Sequence, residues 1–400
     1  MKLTKLLERL EYTCLQGEID KEISGIVNDS RKVTQGSLFF CIKGAVSDGH
    51  TYALDVAQKG AAAIIVQEPV EVPESVTVIQ VADSRYAMAL VAAAWSDYPA
   101  EKLHVIGITG TKGKTTTTYM IRSILEAAGH KVGLIGTIEA IIGDRVIPAC
   151  NTTPESTTIQ EYFAEMVKAG CDSVVMEVSS HSLALDRVYG INFECGIFTN
   201  LTRDHLDFHK TFENYYAAKF KLFERSSIKL INSDDTYGMQ VLNDCRKLNA
   251  KNVYSFSVKN DSDYKAYDEV MGSRNIKFKV ELDKEEEFIL GIPGEYNIYN
   301  ALGAIGVCHK LGISIEAIKE GIENAVVPGR CERVGKEYNL PYEIIIDYAH
   351  TPDGLDNILK TAKAFTKGKL IAIFGCGGDR DKVKRPEMGK IGVNCADLAI

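Results

Sequence analysis

The segment GITGTKGKTTTT (residues 107–118) stands between an apolar run, HVIGI, and a helical pattern, YMIRSILEAAG. That strand–loop–helix order is what a phosphate-binding loop requires. Glycines let backbone N–H groups approach phosphate oxygens closely, and the helix N-terminus adds a favourable dipole. In such a loop Lys114 reaches the β- and γ-phosphates and Thr115 ligates Mg²⁺. A plain strand-to-helix turn also uses glycines for packing, but Gly-Lys-Thr-Thr in this setting favours nucleotide binding. The strict motif would have glycine at position 108, where Ile108 stands, so this is a variant loop. No N-K-x-D guanine signal follows, which argues against a GTPase.

The text around the loop alternates short strands and helices. KVGLIGT, SVVMEV, CGIFTNL and IKLINS read as buried strands, and NIYNALGAIGVCHKLG and IEAIKEGIENA as two late helices. This predicts an α/β fold with a mainly parallel sheet covered on both faces. Before it, AAAIIVQ (61–67) and VTVIQV (76–81) are strand candidates in a small α/β unit, and MKLTKLLERLEY reads as an amphipathic helix. SDYPAEKLH (96–104) is a candidate linker. After Pro328 a third unit begins, with EIIID and KLIAIF as strands around a helix, and the chain stops as another strand opens. Three domains are therefore expected, over 1–98, 99–327 and 328–400. The last is short for its class and is expected to be truncated.

With 400 residues, 45% of them hydrophobic, the chain can fill several cores. A net charge of -8 provides no basic surface and argues against a nucleic-acid partner. No apolar stretch is long enough for membrane insertion. Ten scattered cysteines without a C-x-x-C pair read as reduced thiols, which suits the cytoplasm.

Magnesium needs hard oxygen ligands, so acids at strand ends matter. Glu177 ends SVVMEV and Asp347 ends EIIID; each taken alone is more simply an acid capping a strand. His205 and His209 have i, i+4 spacing, but H-L-D-F-H lacks the glutamate base of a zincin. From spacing alone Lys219 is a solvated helix lysine, and Arg187 and Arg330 are surface arginines.

Ten motifs in order change that reading: NDSR (28–31), GITGTKGKTT (107–116), NTTPES (151–156), MEVSSHSLALDR (176–187), FTNLTRDHLDFH (198–209), AAK (217–219), YNIYN (296–300), PGRCE (328–332), DYAHTPD (347–353) and GCGGDRDKVKRPEMG (375–389). Together they resemble the Mur ligases over essentially the whole chain. The resemblance implies a three-domain architecture with a P-loop central domain and a Rossmann-like C-terminal domain. It implies an ATP-dependent ligase of peptidoglycan precursor synthesis, cytoplasmic and monomeric. Its substrate would be UDP-N-acetylmuramoyl-L-alanyl-D-glutamate and its amine an amino acid, either meso-diaminopimelate or L-lysine. Folylpolyglutamate synthase is a more distant alternative that NDSR argues against.

The resemblance also implies roles. Gly110, Thr111, Lys112, Gly113, Lys114, Thr115 and Thr116 would hold ATP, with Asn297, Asn300, Arg330 and Asp347 contacting the nucleotide from the domain junction. Ser30 would contact the UDP, and Thr152, Thr153, Ser179 and Arg187 the muramoyl-dipeptide. Thr115, Glu177, His205 and a carbamylated Lys219 would be the Mg²⁺ site. Arg380 would contact the incoming amino acid, and GGDRDKVKRP favours diaminopimelate. The Asp-Asn-Pro-Arg motif of that branch would fall past Ile400. Ser182 stands where many members have Gly or Ala.

Overall fold

The computed structural model describes every residue except 45–46, 273–274, 336–337, 339 and 377–383. HVIGI becomes the strand His104–Thr109, buried from Val105 to Thr109. It stands inside an eleven-stranded sheet. To one side run Ser173–Glu177, Val132–Ile135, Glu139–Ile142 and Arg145–Pro148. To the other run Phe193–Phe198, Ser226–Asn232, Val253–Ser257, Tyr264–Met271, Ile276–Glu281 and Glu285–Leu290. The strands from Val132–Ile135 across to Tyr264–Met271 are parallel. Antiparallel pairs occupy only the two edges. The chain leaves His104–Thr109 toward Val132–Ile135 and later adds Phe193–Phe198 on the opposite side. Such a switch point opens a crevice past the strand's C-terminal end, where ligands bind in sheets of this kind.

Both faces are covered. Met120, Ile121, Ile124 and Leu125 of helix Lys114–Ala127 pack with Ile298, Leu302 and Ile305 of helix Tyr296–Lys310 on one face. Phe163, Met166, Leu183 and Phe223 fill the other. Gly107 matters to this packing, since a Cβ there would stand 2.7 Å from the Phe193 ring and 3.1 Å from Leu222. Its absence lets helix Phe212–Glu224 lie close on the sheet, and that helix carries Lys219.

The N-terminal sheet has the order Thr13–Gln16, Thr77–Gln80, Ala63–Val66, Ser37–Phe40, Gly25–Val27. It is parallel except for the first pair. Helix Ser84–Trp95 covers it, with the Asp83 side chain accepting from the Arg85 and Tyr86 N–H groups as an N-cap. The C-terminal region pairs Glu332–Val334 with Ile344–Ile346 and Ile371–Ala372 with Leu398–Ala399. Helices Pro352–Phe365 and Lys384–Cys395 pack beside the latter pair.

One expectation needs correction. The amphipathic helix expected over MKLTKLLERLEY is helical only at Leu3–Leu6. Leu3, Leu6, Leu7 and Leu10 are nonetheless buried. The segment is drawn into the sheet margin instead: the Leu3 N–H donates to the Lys21 carbonyl and the Ile23 N–H to the Met1 carbonyl. The candidate linker 96–104 carries local structure. It contains the short 3-10 helix Pro99–Lys102, and the Arg9 guanidinium lies 3.8 Å over the Tyr98 ring and pairs with Glu101.

Candidate active site

The loop after His104–Thr109 is built for close backbone approach. Gly110 and Gly113 have φ of 151° and 85°. Added Cβ atoms there would collide with the Thr199 hydroxyl and the Asn300 side chain. The FTNLT segment braces the loop from the neighbouring strand. The Thr199 hydroxyl donates to the Lys112 carbonyl at 2.6 Å, the Lys112 N–H donates to Asn200 Oδ1 at 2.9 Å, and the Thr111 N–H donates to the Asn200 carbonyl at 2.9 Å. The Lys114 ammonium curls into the loop, 2.9 Å from the Gly110 carbonyl and 3.0 Å from that of Thr111. Burial lowers its pKa. A Gly113→Ala variant is expected to bind ATP at least tenfold more weakly by calorimetry, because a left-handed alanine costs about 1–2 kcal/mol before the Asn300 collision is counted.

Glu177, 1% exposed, is the hub between this loop and the rest of the site. Its Oε1 accepts from the Thr115 hydroxyl at 2.9 Å and the Thr137 N–H at 2.8 Å; its Oε2 accepts from the Thr137 hydroxyl at 2.9 Å. Because Thr137 spends its proton there, the 3.0 Å contact between Thr152 and Thr137 must be donated by Thr152. Thr153 donates to the Glu177 carbonyl at 2.8 Å and accepts from the Ser179 N–H at 3.0 Å. Arg187 closes the chain, 3.1 Å from the Thr153 carbonyl and 2.6 Å from Glu155. It is mostly buried, unlike the surface arginine that spacing alone suggests.

Lys219 departs most from the spacing-based reading. It is 1% exposed, and its Nζ donates to the Gly110 carbonyl at 2.8 Å from beneath the loop. Burial, then the nearby Lys114 charge, holds its pKa well below the usual lysine value. The His205 residue has a left-handed backbone (φ 51°) and its N–H is held by the Asp204 carboxylate at 2.9 Å. Burial lowers its pKa too. His209 lies behind it, 5% exposed, with Nε2 2.9 Å from the Ser180 hydroxyl. It is therefore a core imidazole bonded to a serine.

A cleft of about 670 Å³ joins the loop to the C-terminal region. Thr111 to Thr116, Thr137, Glu177, Asp204, Asn297, Asn300, Arg330 and Asp347 all line it. Asn300 donates to Asn297 Oδ1 at 2.9 Å, and Asn297 donates to the Pro293 carbonyl at 2.7 Å, so both amides are oriented. The Asp347 carboxylate accepts from the Cys331 and Ala349 N–H groups at 2.9 Å each, and Arg330 lies 4.9 Å over the Tyr348 ring. Lys112 pairs with Asp353 across the cleft. Ser30 lies away from this cleft, in the turn after Gly25–Val27, where its carbonyl accepts from Lys59 at 3.1 Å. Arg380 lies outside the described residues. Thr137, Thr199, Asn200 and Tyr215 were not singled out from sequence; the last three sit inside quoted or adjacent motifs, whereas Thr137 carries no local signal.

Among the described residues no three His, Cys, Asp or Glu side chains cluster as a metal cage. Magnesium does not need one, since it keeps several waters and takes few protein oxygens beside phosphate. The Glu177 carboxylate and Thr115 hydroxyl, hard donors at the mouth of a phosphate loop, fit it.

A switch-point crevice, a lysine-bearing glycine loop and a carboxylate beside its threonine define a P-loop nucleotide-binding α/β protein with flanking units. The family follows from comparison with known proteins. Family models described as the Mur ligase middle domain, the Mur ligase glutamate ligase domain and the Mur ligase family catalytic domain match residues 108–308, 329–400 and 22–112. The chain belongs to the Mur ligase family. It is 56% identical to the UDP-N-acetylmuramoyl-L-alanyl-D-glutamate–2,6-diaminopimelate ligase of Clostridium perfringens, covering 100% of this chain and 83% of that one. It is 52% identical to the ligase of the same name from Clostridium tetani, again over 100% and 83%. A solved structure of a ligase of that name superposes with a TM-score of 0.81 at 26% identity, over 100% of this chain and 81% of that one.

Proposed function

We infer that the chain is the ATP-dependent ligase that adds diaminopimelate to UDP-N-acetylmuramoyl-L-alanyl-D-glutamate in peptidoglycan synthesis. The observation that carries the mechanism is a hydrogen-bond network branching at Glu177: its carboxylate links Thr115 to Thr137 and on to Thr152, and its main-chain carbonyl accepts from Thr153, whose own carbonyl accepts from Arg187. It runs from the phosphate loop to the residues expected to hold the muramoyl-dipeptide. An ATP γ-phosphate and an acceptor carboxylate bound at its two ends would be held for in-line attack. The D-glutamate γ-carboxylate then displaces ADP, giving an acyl phosphate. The amine of meso-diaminopimelate adds to that carbonyl, and the tetrahedral intermediate expels phosphate. No protein nucleophile is required; positioning and charge stabilisation supply the acceleration.

Lys114, freed from the loop carbonyls, would meet the β- and γ-phosphates. Gly110 to Thr116 would cradle them, and Asn297, Asn300, Arg330 and Asp347 would hold the nucleoside end. Mg²⁺, with Thr115, Glu177, His205 and a carbamylated Lys219 as its protein donors, would neutralise charge on the transferring phosphoryl group. The depressed pKa of Lys219 supports carbamylation: a neutral amine can form the N–C bond to CO₂ and release one proton, an ammonium cannot. Ser30 would contact the UDP and Arg380 the amino acid. We propose that the enzyme works as a cytoplasmic monomer. Its ten cysteines are free, and no helix among the described residues is long and apolar enough to cross a membrane.

Phosphate release with ATP, the UDP-muramoyl-dipeptide and each amine in turn tests this reading. Diaminopimelate is expected to exceed L-lysine by at least ~10² in kcat/KM, since a pocket built for the second carboxylate leaves charged groups unpaired with lysine. Release with neither amine, or preference for lysine, contradicts it. Arg187→Ala is expected to raise the KM for the dipeptide substrate about 10–100-fold, the loss of a charge-assisted contact, with the KM for ATP unchanged.

A further inference from the structure

Tyr215 touches more of the site than any role so far accounts for. It is 0% exposed and lies one helical turn before Lys219. Its hydroxyl is 3.1 Å from Thr111 Oγ1 in the phosphate loop. Its ring lies 4.7 Å beneath Lys219 Nζ, 5.0 Å from the His209 ring and 6.2 Å, edge-on, from that of His205.

The proton positions follow from counting. A threonine hydroxyl has one proton and two lone pairs. Thr111 donates to the Thr202 carbonyl at 3.3 Å and accepts from the Thr202 N–H at 3.0 Å. The remaining lone pair takes the Tyr215 proton. One buried ring thus spans the loop and the lysine, while Lys219 itself grips the Gly110 carbonyl at 2.8 Å. The loop is held from below at two adjacent residues by two side chains of one helix.

We propose that Tyr215 is a positioning residue, its hydroxyl fixing Thr111 of the phosphate loop and its ring seating the Lys219 amine. It does not line the cleft and would touch no substrate. For nucleotide binding the proposal needs only the phosphate loop; for Lys219 it rests on the ligase reading above.

Calorimetric titration of the full chain with ATP, without amine, is the test. Tyr215→Phe removes only the hydroxyl and takes from Thr111 the donor that fixes its side chain in the loop. ATP affinity is expected to fall about tenfold, with kcat of the ligation changing less than about threefold. Tyr215→Leu also removes the ring. It is expected to lose the same affinity and, in addition, the carbamate carbon signal that ¹³C-bicarbonate gives on Lys219. Thr111→Val breaks the same hydrogen bond from the other side, and combined with Tyr215→Phe it is expected to add less than about twofold. A purely structural tyrosine would lower Tm and leave the affinity of the folded protein unmoved. Affinity within twofold of wild type in Tyr215→Phe overturns the proposal. If that variant does not fold, the same result in Thr111→Val overturns it. Failure of the ligase reading looks different: wild type would bind ATP and release no phosphate with diaminopimelate.

Discussion

Lys114→Met is expected to lower kcat/KM for ATP by about 10³-fold, the scale of removing one charged donor from a developing oxyanion, without unfolding the protein. Among the described residues, Lys114 Nζ donates to the Gly110 and Thr111 carbonyls, both within its own loop. Those bonds hold the amine ready and add little to the core. Burial already lowers its pKa, so the fold tolerates rather than needs the charge. Methionine keeps the stem that packs at the helix start and deletes the head. Tm within a few degrees of wild type, beside the activity loss, separates a phosphate-binding role from a structural one. Activity within tenfold of wild type would mean that phosphate is bound elsewhere.

Lys219→Met should remove nearly all ligation, by about 10²–10³-fold, and, measured against uncarbamylated wild type in CO₂-depleted buffer, raise Tm. The two effects have one cause. A lysine buried to 1% exposure beside Lys114 is disfavoured as an ammonium. Its folded pKa is depressed below its unfolded value, so between the two values the unfolded chain holds the extra proton. Stability therefore rises with pH through that window, and below it the buried amine costs stability. Methionine, which cannot titrate, removes both the cost and the slope. Each kcal/mol so relieved would raise Tm by about 1 °C in a chain of 400 residues. The same depressed pKa makes the amine able to take up CO₂. Wild-type activity should thus fall in CO₂-depleted buffer and return with bicarbonate, while Lys219→Met should respond to neither. Wild-type activity in Lys219→Met would remove the carbamate from the mechanism.

The phosphate loop was legible because its signal is local. Strand, glycines, lysine and amphipathic helix are contiguous, and residues 104–127 fold as the pattern requires. The parallel centre of the sheet was legible for the same reason: β-branched runs between helical stretches. The antiparallel edges were not read, although IKFKVE alternates with a period of two and becomes the half-buried strand Ile276–Glu281. The N-terminal helix was overcalled because leucines at helical spacing report burial, and burial is also achieved by turns tied to a sheet margin.

The site divides along the same line. Lys114 and Thr115 follow from motif chemistry. Glu177 taken alone looked like a strand cap, and Lys219 like a solvated lysine. What buries Lys219 is tertiary: Gly107 lets helix Phe212–Glu224 settle onto the sheet until the amine reaches the Gly110 carbonyl. Only the family resemblance anticipated its importance. Thr137 was invisible for a similar reason, since its bonds to Glu177 exist only once Val132–Ile135 lies beside Ser173–Glu177.

Transfer of oxygen tests the central claim, activation of a carboxylate as an acyl phosphate, most directly. The UDP-muramoyl-dipeptide, labelled with ¹⁸O in the D-glutamate γ-carboxylate, is turned over with ATP and diaminopimelate, and the released phosphate is analysed by mass. The account predicts one ¹⁸O atom in each phosphate, because the attacking carboxylate oxygen leaves with the phosphoryl group. Unlabelled phosphate accompanying amide formation would contradict it.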